Sequence, residues 1–140
     1  MNETTLEQNL TEALIREWEI IPTGSGFLVV SDWLWPNHER IEIHVRTVGE
    51  REDLFVVTEG GELFNFLFSQ GIDLTRDEKG QKAVRNVLSH YGAELVDFQI
   101  VKGAGEGDLA QAIRLLVEAV KDASFVLWHR LEAGGDLPIH

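Results

Sequence analysis

Between Arg40 and Val48 the chain alternates strictly, with Ile41, Ile43 and Val45 on one side and Arg40, Glu42, His44 and Arg46 on the other. A period of two with one apolar and one polar face predicts a strand in an antiparallel sheet that is covered on one side only. Gly49 to Asp53 reads as a charged loop and Leu54 to Thr58 as the next strand, so the two form a hairpin. Before them, the turn cluster Thr23-Gly24-Ser25-Gly26 separates two shorter apolar runs, Glu19 to Pro22 and Phe27 to Ser31, which also predict strands. Trp33 to Glu39, with Pro36 and Asn37, reads as a turn.

Elsewhere the period lengthens to that of a helix. Leu6, Leu10, Ala13, Leu14 and Trp18 recur on one face behind the capping box of Thr4 and Glu7, predicting a helix that ends near Glu17. Gly60 and Gly61 close the fourth strand, and Leu63, Phe64, Phe66, Leu67 and Phe68 form a short helix stopped at Gly71, with four large apolar groups that must be buried. Thr75 to Glu78 is a second capping box, opening a helix with Ala83, Val84, Val87, Leu88 and Tyr91 on one face and Gly92 after its end. Glu94 to Lys102 reads as the last strand. Asp108, with Gln111 three positions on, then caps a final helix whose buried stripe runs from Leu109 to Leu127, with a break expected near Asp122 to Ser124. These elements predict an α+β fold, a small antiparallel sheet packed on one face by about four helices. The expected domain is single, residues 1–133, with Gly134 to His140 as a flexible tail.

Composition narrows the function classes. A chain of 140 residues with 44% hydrophobic and 26% charged residues can bury its own core. It has no cysteine, which removes disulfides, thiolate metal sites and a cysteine nucleophile. The N-terminus shows no basic region followed by an apolar run, and no stretch reaches the length of a membrane span, so a cytoplasmic location is expected. Net charge is −12, and it is uneven: residues 1–62 hold 13 acids against four arginines, residues 63–140 hold 11 acids against eight bases. Such a field disfavours direct nucleic-acid and membrane binding and speeds encounter with a basic partner.

The hairpin of Ile41 to Val45 with Leu54 to Thr58, the following Glu59-Gly60-Gly61-Glu62-Leu63, the Gly71 stop and Val87-Leu88 leading to Tyr91-Gly92 carry a resemblance. Over residues 28–127 the chain resembles a family of bacterial and phage proteins known as domain of unknown function 1828. The resemblance implies the fold and says nothing of mechanism, because that family has no agreed activity. Its members usually carry aspartate before the glycine of the turn, where this chain has Glu59, so a shared acidic site is not carried over.

Several constellations carry possible chemistry. His38, Glu42 and His44 are the densest group of metal-ligand types. In a strand, however, residues four apart are separated by about 13 Å instead of one helical turn, and a solvated sheet face explains the same residues. Gly103, Gly105 and Gly107 between a strand and a helix have the setting of a phosphate cradle, but not the spacing, and Glu106 and Asp108 would repel an anion. Asp32 and Glu59 form an acid–base pair only if folding joins them, and Ser89-His90 sits at a helix end. Trp33 and Trp35 in a turn suit interface anchors, or fold back over the core.

The leading expectation is therefore a small acidic non-enzymatic binding protein that needs no cofactor and occludes a basic nucleic-acid-binding surface, as a phage-type anti-CRISPR or anti-nuclease inhibitor would. Its contact residues would be Trp33, Trp35, Glu39, Glu42, Glu50, Glu52, Asp53, Glu59 and Glu62. One alternative is a metal-dependent hydrolase or nuclease using His38, Glu42 and His44. Another is a dimeric regulatory or toxin-linked module that self-associates through Phe64, Phe66 and Phe68.

Overall fold

The structure is a computed structural model describing residue 10 and residues 18–24, 26–35, 38–49 and 51–133. Six strands form one antiparallel sheet: β1 (Glu19–Thr23), β2 (Gly26–Leu34), β3 (Arg40–Val48), β4 (Arg51–Thr58), β5 (Glu94–Val96) and β6 (Gln99–Gly105), in the order β1-β2-β3-β4-β6-β5. Three helices are described, α1 (Glu62–Ser69), α2 (Glu78–Ser89) and α3 (Leu109–Ala133). The α+β expectation holds. The first of the expected four helices and the tail from Gly134 lie outside the described residues, save that Leu10 is helical and buried.

The alternation of β3 becomes packing. Ile41, Ile43 and Val45 are buried, and the register sets Phe27 against Val45, Val29 against Ile43 and Val57 against Val45 on the same inner face. Across this face lies α3, whose buried stripe of Leu109, Ala112, Ile113, Leu116, Val117 and Val120 joins the sheet in one core cluster. Each such branched side chain taken from water contributes about 1.5–3 kcal/mol, so the shared seam is what holds the layers together. Leu63, Phe64, Phe66 and Leu67 are buried as expected, while Phe68 is exposed. Of the three phenylalanines named for self-association, Phe64 and Phe66 belong to the core and Phe68 alone presents its ring to solvent. Among the described residues, no helix is long and apolar enough to cross a membrane.

Five local expectations are corrected. Trp33 and Leu34 extend β2 instead of opening a turn: the register shifts between Val30 and Leu34, and the Ser31 hydroxyl donates to the Ile41 carbonyl (2.9 Å) and accepts the Trp33 N–H (3.2 Å), so backbone groups displaced by the bulge keep partners. Glu94 to Lys102 is two strands. Asp97 (φ 50°) and Phe98 (φ 62°) make a two-residue left-handed loop, and the strain of a phenylalanine there, about 1–2 kcal/mol, is offset by its ring packing on Phe64 at 5.4 Å between centroids. Thr75 lies in a 3₁₀ turn, and α2 is capped instead by Asp77, which accepts the Gly80 N–H at 2.9 Å. Asp108 accepts the Gly105 N–H ahead of α3, and α3 runs through residues 122–124 without a break.

Candidate binding concavities on the exposed sheet face

Because the described helices occupy the inner face, the outward residues of β3 stand on an open surface: Arg40, Glu42, His44 and Arg46 in a row. Successive members are about 7 Å apart; the Arg40–Glu42 end becomes the acidic one only because Glu39 and Glu62 stand beside it, and the His44–Arg46 end is the basic one. Each end borders a concavity.

At the acidic end, a concavity of about 270 Å³ is lined by Trp35, Glu39, Arg40, Glu42 and Glu62. Glu42 comes from β3 and Glu62 from the first turn of α1, where the helix dipole favours a carboxylate. Trp35 and Glu39 belong to the tight turn after β2, closed by the Trp35 N–H on the Glu39 carbonyl (2.8 Å) and the His38 N–H on the Trp35 carbonyl (2.9 Å). Trp35 is buried, its ring stacked on Phe66 with centroids 6.1 Å apart. It floors the concavity and is not an exposed anchor, which corrects one half of the tryptophan expectation. Arg40 reaches across to Glu19, Nη1 to Oε1 at 3.6 Å.

Four of the residues expected to contact a partner, Trp35, Glu39, Glu42 and Glu62, thus meet in one place, whereas Trp33, Asp53 and Glu59 lie elsewhere. Trp33 is 42% exposed on β2, with the Lys121 ammonium 3.4 Å from its ring centroid. Asp53 lies near the far end of β4, about 20 Å along the strand from its Glu59 end. Glu50 and the side chain of Glu52 lie outside the described residues.

Glu59 is the clearest correction. It is 1% exposed, because it continues the inward series of Phe55 and Val57. Its Oε1 accepts the N–H groups of Gly61 and Ile100, each at 2.8 Å, and its Oε2 accepts that of Leu63 at 2.9 Å. The N-cap position of α1 is Gly61, which has no side chain to offer, so Glu59 caps the helix from two residues upstream and ties β6 to it. Burial pushes its carboxyl above the ordinary range; the bonds from Leu63, Ile100 and Gly61 act against that, and the charge of Glu62 adds to it. A group so enclosed does not reach a partner. The inward parity with Val57 was the signal in the sequence.

The other constellations come apart. Asp32 accepts the indole N–H of Trp18 at 2.6 Å, beyond Val30, which pairs with Glu42, whereas Glu59 follows Thr58, which pairs with His44. His38 is exposed in the turn at φ 70°, His44 lies against Gly60, and among the described residues no three His, Asp or Glu side chains gather as a metal site. The Gly105 N–H is spent on Asp108 and Gly103 faces Val56 in the sheet, so the glycine series builds no phosphate cradle.

At the basic end, a second concavity of about 420 Å³ opens beside His44 and Arg46, with Thr23, Thr58, Gly60 and Gln99 around it. Thr58 is buried; its hydroxyl accepts the Gly60 N–H at 3.1 Å and donates to Gln99 Oε1 at 3.3 Å. No local spacing marks this grouping, because Gln99 arrives only through the β5–β6 turn.

Compared with family models, curated proteins and solved structures, the chain matches none.

Proposed function

We propose that this chain is an acidic binding protein whose concavity at Trp35, Glu39, Glu42 and Glu62 receives a lysine or arginine of a basic protein partner. The observation that carries the reading is convergence: three carboxylates from the β2–β3 turn, β3 and α1 border one depression over an aromatic floor, against a single guanidinium, Arg40. Carboxylates around a partly enclosed cation give charge-assisted hydrogen bonds, and the surrounding field of net charge −12 speeds the encounter. The partner class that fits is a protein whose own basic surface holds nucleic acid. Seated there, this chain excludes the nucleic acid by bulk and by charge, the mode of an anti-CRISPR or anti-nuclease inhibitor.

The test is a comparison of the wild-type chain with E42K/E62K and with D53K, each immobilised and exposed to host lysate and to a defined arginine-rich peptide at low and high salt. Salt-sensitive binding that is lost in E42K/E62K and kept in D53K is expected. Equal retention by all three would overturn the assignment to this concavity.

A further inference from the structure

We propose that the second concavity, at the His44–Arg46 end of β3, is a binding site for a small phosphate monoester. Its charge is the first ground. The chain carries 24 acids against 12 lysines and arginines, yet among the described residues no carboxylate lines this depression. Among the described residues neither His44 nor Arg46 forms an ion pair. A guanidinium with no acid partner among the described residues can meet an anion, and its planar fork suits two oxygens of a phosphate at once.

Donor number and shape point the same way. Beyond Arg46, the imidazole of His44, the hydroxyl of Thr23 and the amide nitrogen of Gln99 supply hydrogens, the last because Gln99 Oε1 is already occupied by Thr58. These donors exceed what the two oxygens of a carboxylate use and match the three terminal oxygens of a monoester. The site is also built on fixed parts. His44 and Arg46 are two residues apart in one ladder, and Thr58 locks the Gly60 turn beneath them. Gly60 has φ 75°, and a Cβ there would stand 3.1 Å from the His44 ring, so glycine both permits the turn and leaves room for the imidazole. At about 420 Å³ the space falls within the range of small-molecule sites and exceeds the needs of inorganic phosphate, which indicates an organic ester. A polyanion is disfavoured, because Glu42 stands about 7 Å along the same face and the overall field repels a phosphate chain.

The experiment is an amide-resolved NMR titration of the full chain with inorganic phosphate, adenosine monophosphate and adenosine, repeated on R46Q, on H44Q and on R85Q, which alters an exposed arginine of α2. Saturable shifts at Gly60 and Gln99 are expected with the monophosphate, weaker ones with phosphate and none with adenosine. R46Q should weaken the monophosphate by at least about tenfold, H44Q in the same direction, and R85Q should leave it unchanged. Dispersed spectra of the variants keep a loss of binding distinct from a loss of fold. No saturable shift at tens of millimolar, equal binding of nucleotide and nucleoside, binding of inorganic phosphate without the ester, or equal affinity of R46Q and R85Q would each overturn the proposal.

Discussion

The carboxylate of Glu59 accepts the backbone N–H of Ile100 at 2.8 Å, across 41 residues of sequence, and so fastens β6 to the end of β4 at the point where α1 begins. The same side chain holds the N–H groups of Gly61 and Leu63. Replacing Glu59 with alanine removes the acceptor of three enclosed donors and leaves a space behind. Since each unsatisfied buried group costs about 1–3 kcal/mol, a loss of about 3 kcal/mol or more is expected in urea denaturation followed by circular dichroism. A surface acid would change stability by a few tenths at most, about 0.5 kcal/mol.

Burial also gives Glu59 a signature in pH. Its carboxyl titrates above the ordinary 4.5 in the folded chain, so over the interval that starts near that value the folded state holds a proton that the unfolded state has released. Stability contributed by this group is therefore present below the interval and lost as pH rises through it. The stability of the wild-type chain relative to E59Q, whose side chain does not titrate, should fall as pH rises above about 4.5. A difference that rises instead would mean the N–H bonds outweigh burial.

The sheet core was legible because alternation at Ile41, Ile43 and Val45 admits only one face for the core, and the helix at Leu63 to Leu67 because four large apolar groups need cover. The end of β2 was not: continuation through a bulge depends on the Ser31 hydroxyl finding the Ile41 carbonyl, a contact between strands that no local spacing encodes. Likewise Asp97-Phe98 lacks the glycine of an ordinary hairpin loop, and the turn is held by Phe98 meeting Phe64, again a distant residue. Of the candidate site, the residue types at Glu39, Glu42 and Glu62 were readable. Their separation from Glu59 and Asp53 was not, because acids of one type serve as cap, strand edge or rim according to where the backbone sends them.

Trp33 and Trp35 are two residues apart and energetically unlike. Trp35 is 5% exposed and stacked on Phe66, so Trp35→Ala should cost about 3–5 kcal/mol in denaturant unfolding. Trp33 is 42% exposed and touches Lys121 through its ring face, a contact contributing about 0.5–1 kcal/mol. Trp33→Ala should therefore remain folded. It can be used to ask whether this ring touches a partner, a question Trp35→Ala confounds with stability.

The chain has one tyrosine, Tyr91, which follows α2 and whose hydroxyl donates to Asp122 Oδ2 on α3. That bond is the main reason its pKa is pushed up to about 12, with burial and the charges of Asp122 and Glu118 acting in the same direction. The folded state therefore keeps the phenolic proton past the ordinary value of 10.0 while the unfolded chain releases it, and stability tied to the bond is lost as pH rises from about 10 through 12. With a single tyrosine, the ultraviolet difference titration of phenolate reports this group alone. The midpoint should stand well above 10 in the wild-type chain and move down in D122N, where an amide oxygen still accepts the bond but the charge opposing phenolate is gone. A midpoint near 10 in both proteins would show that Tyr91 and Asp122 do not join α2 to α3 in solution.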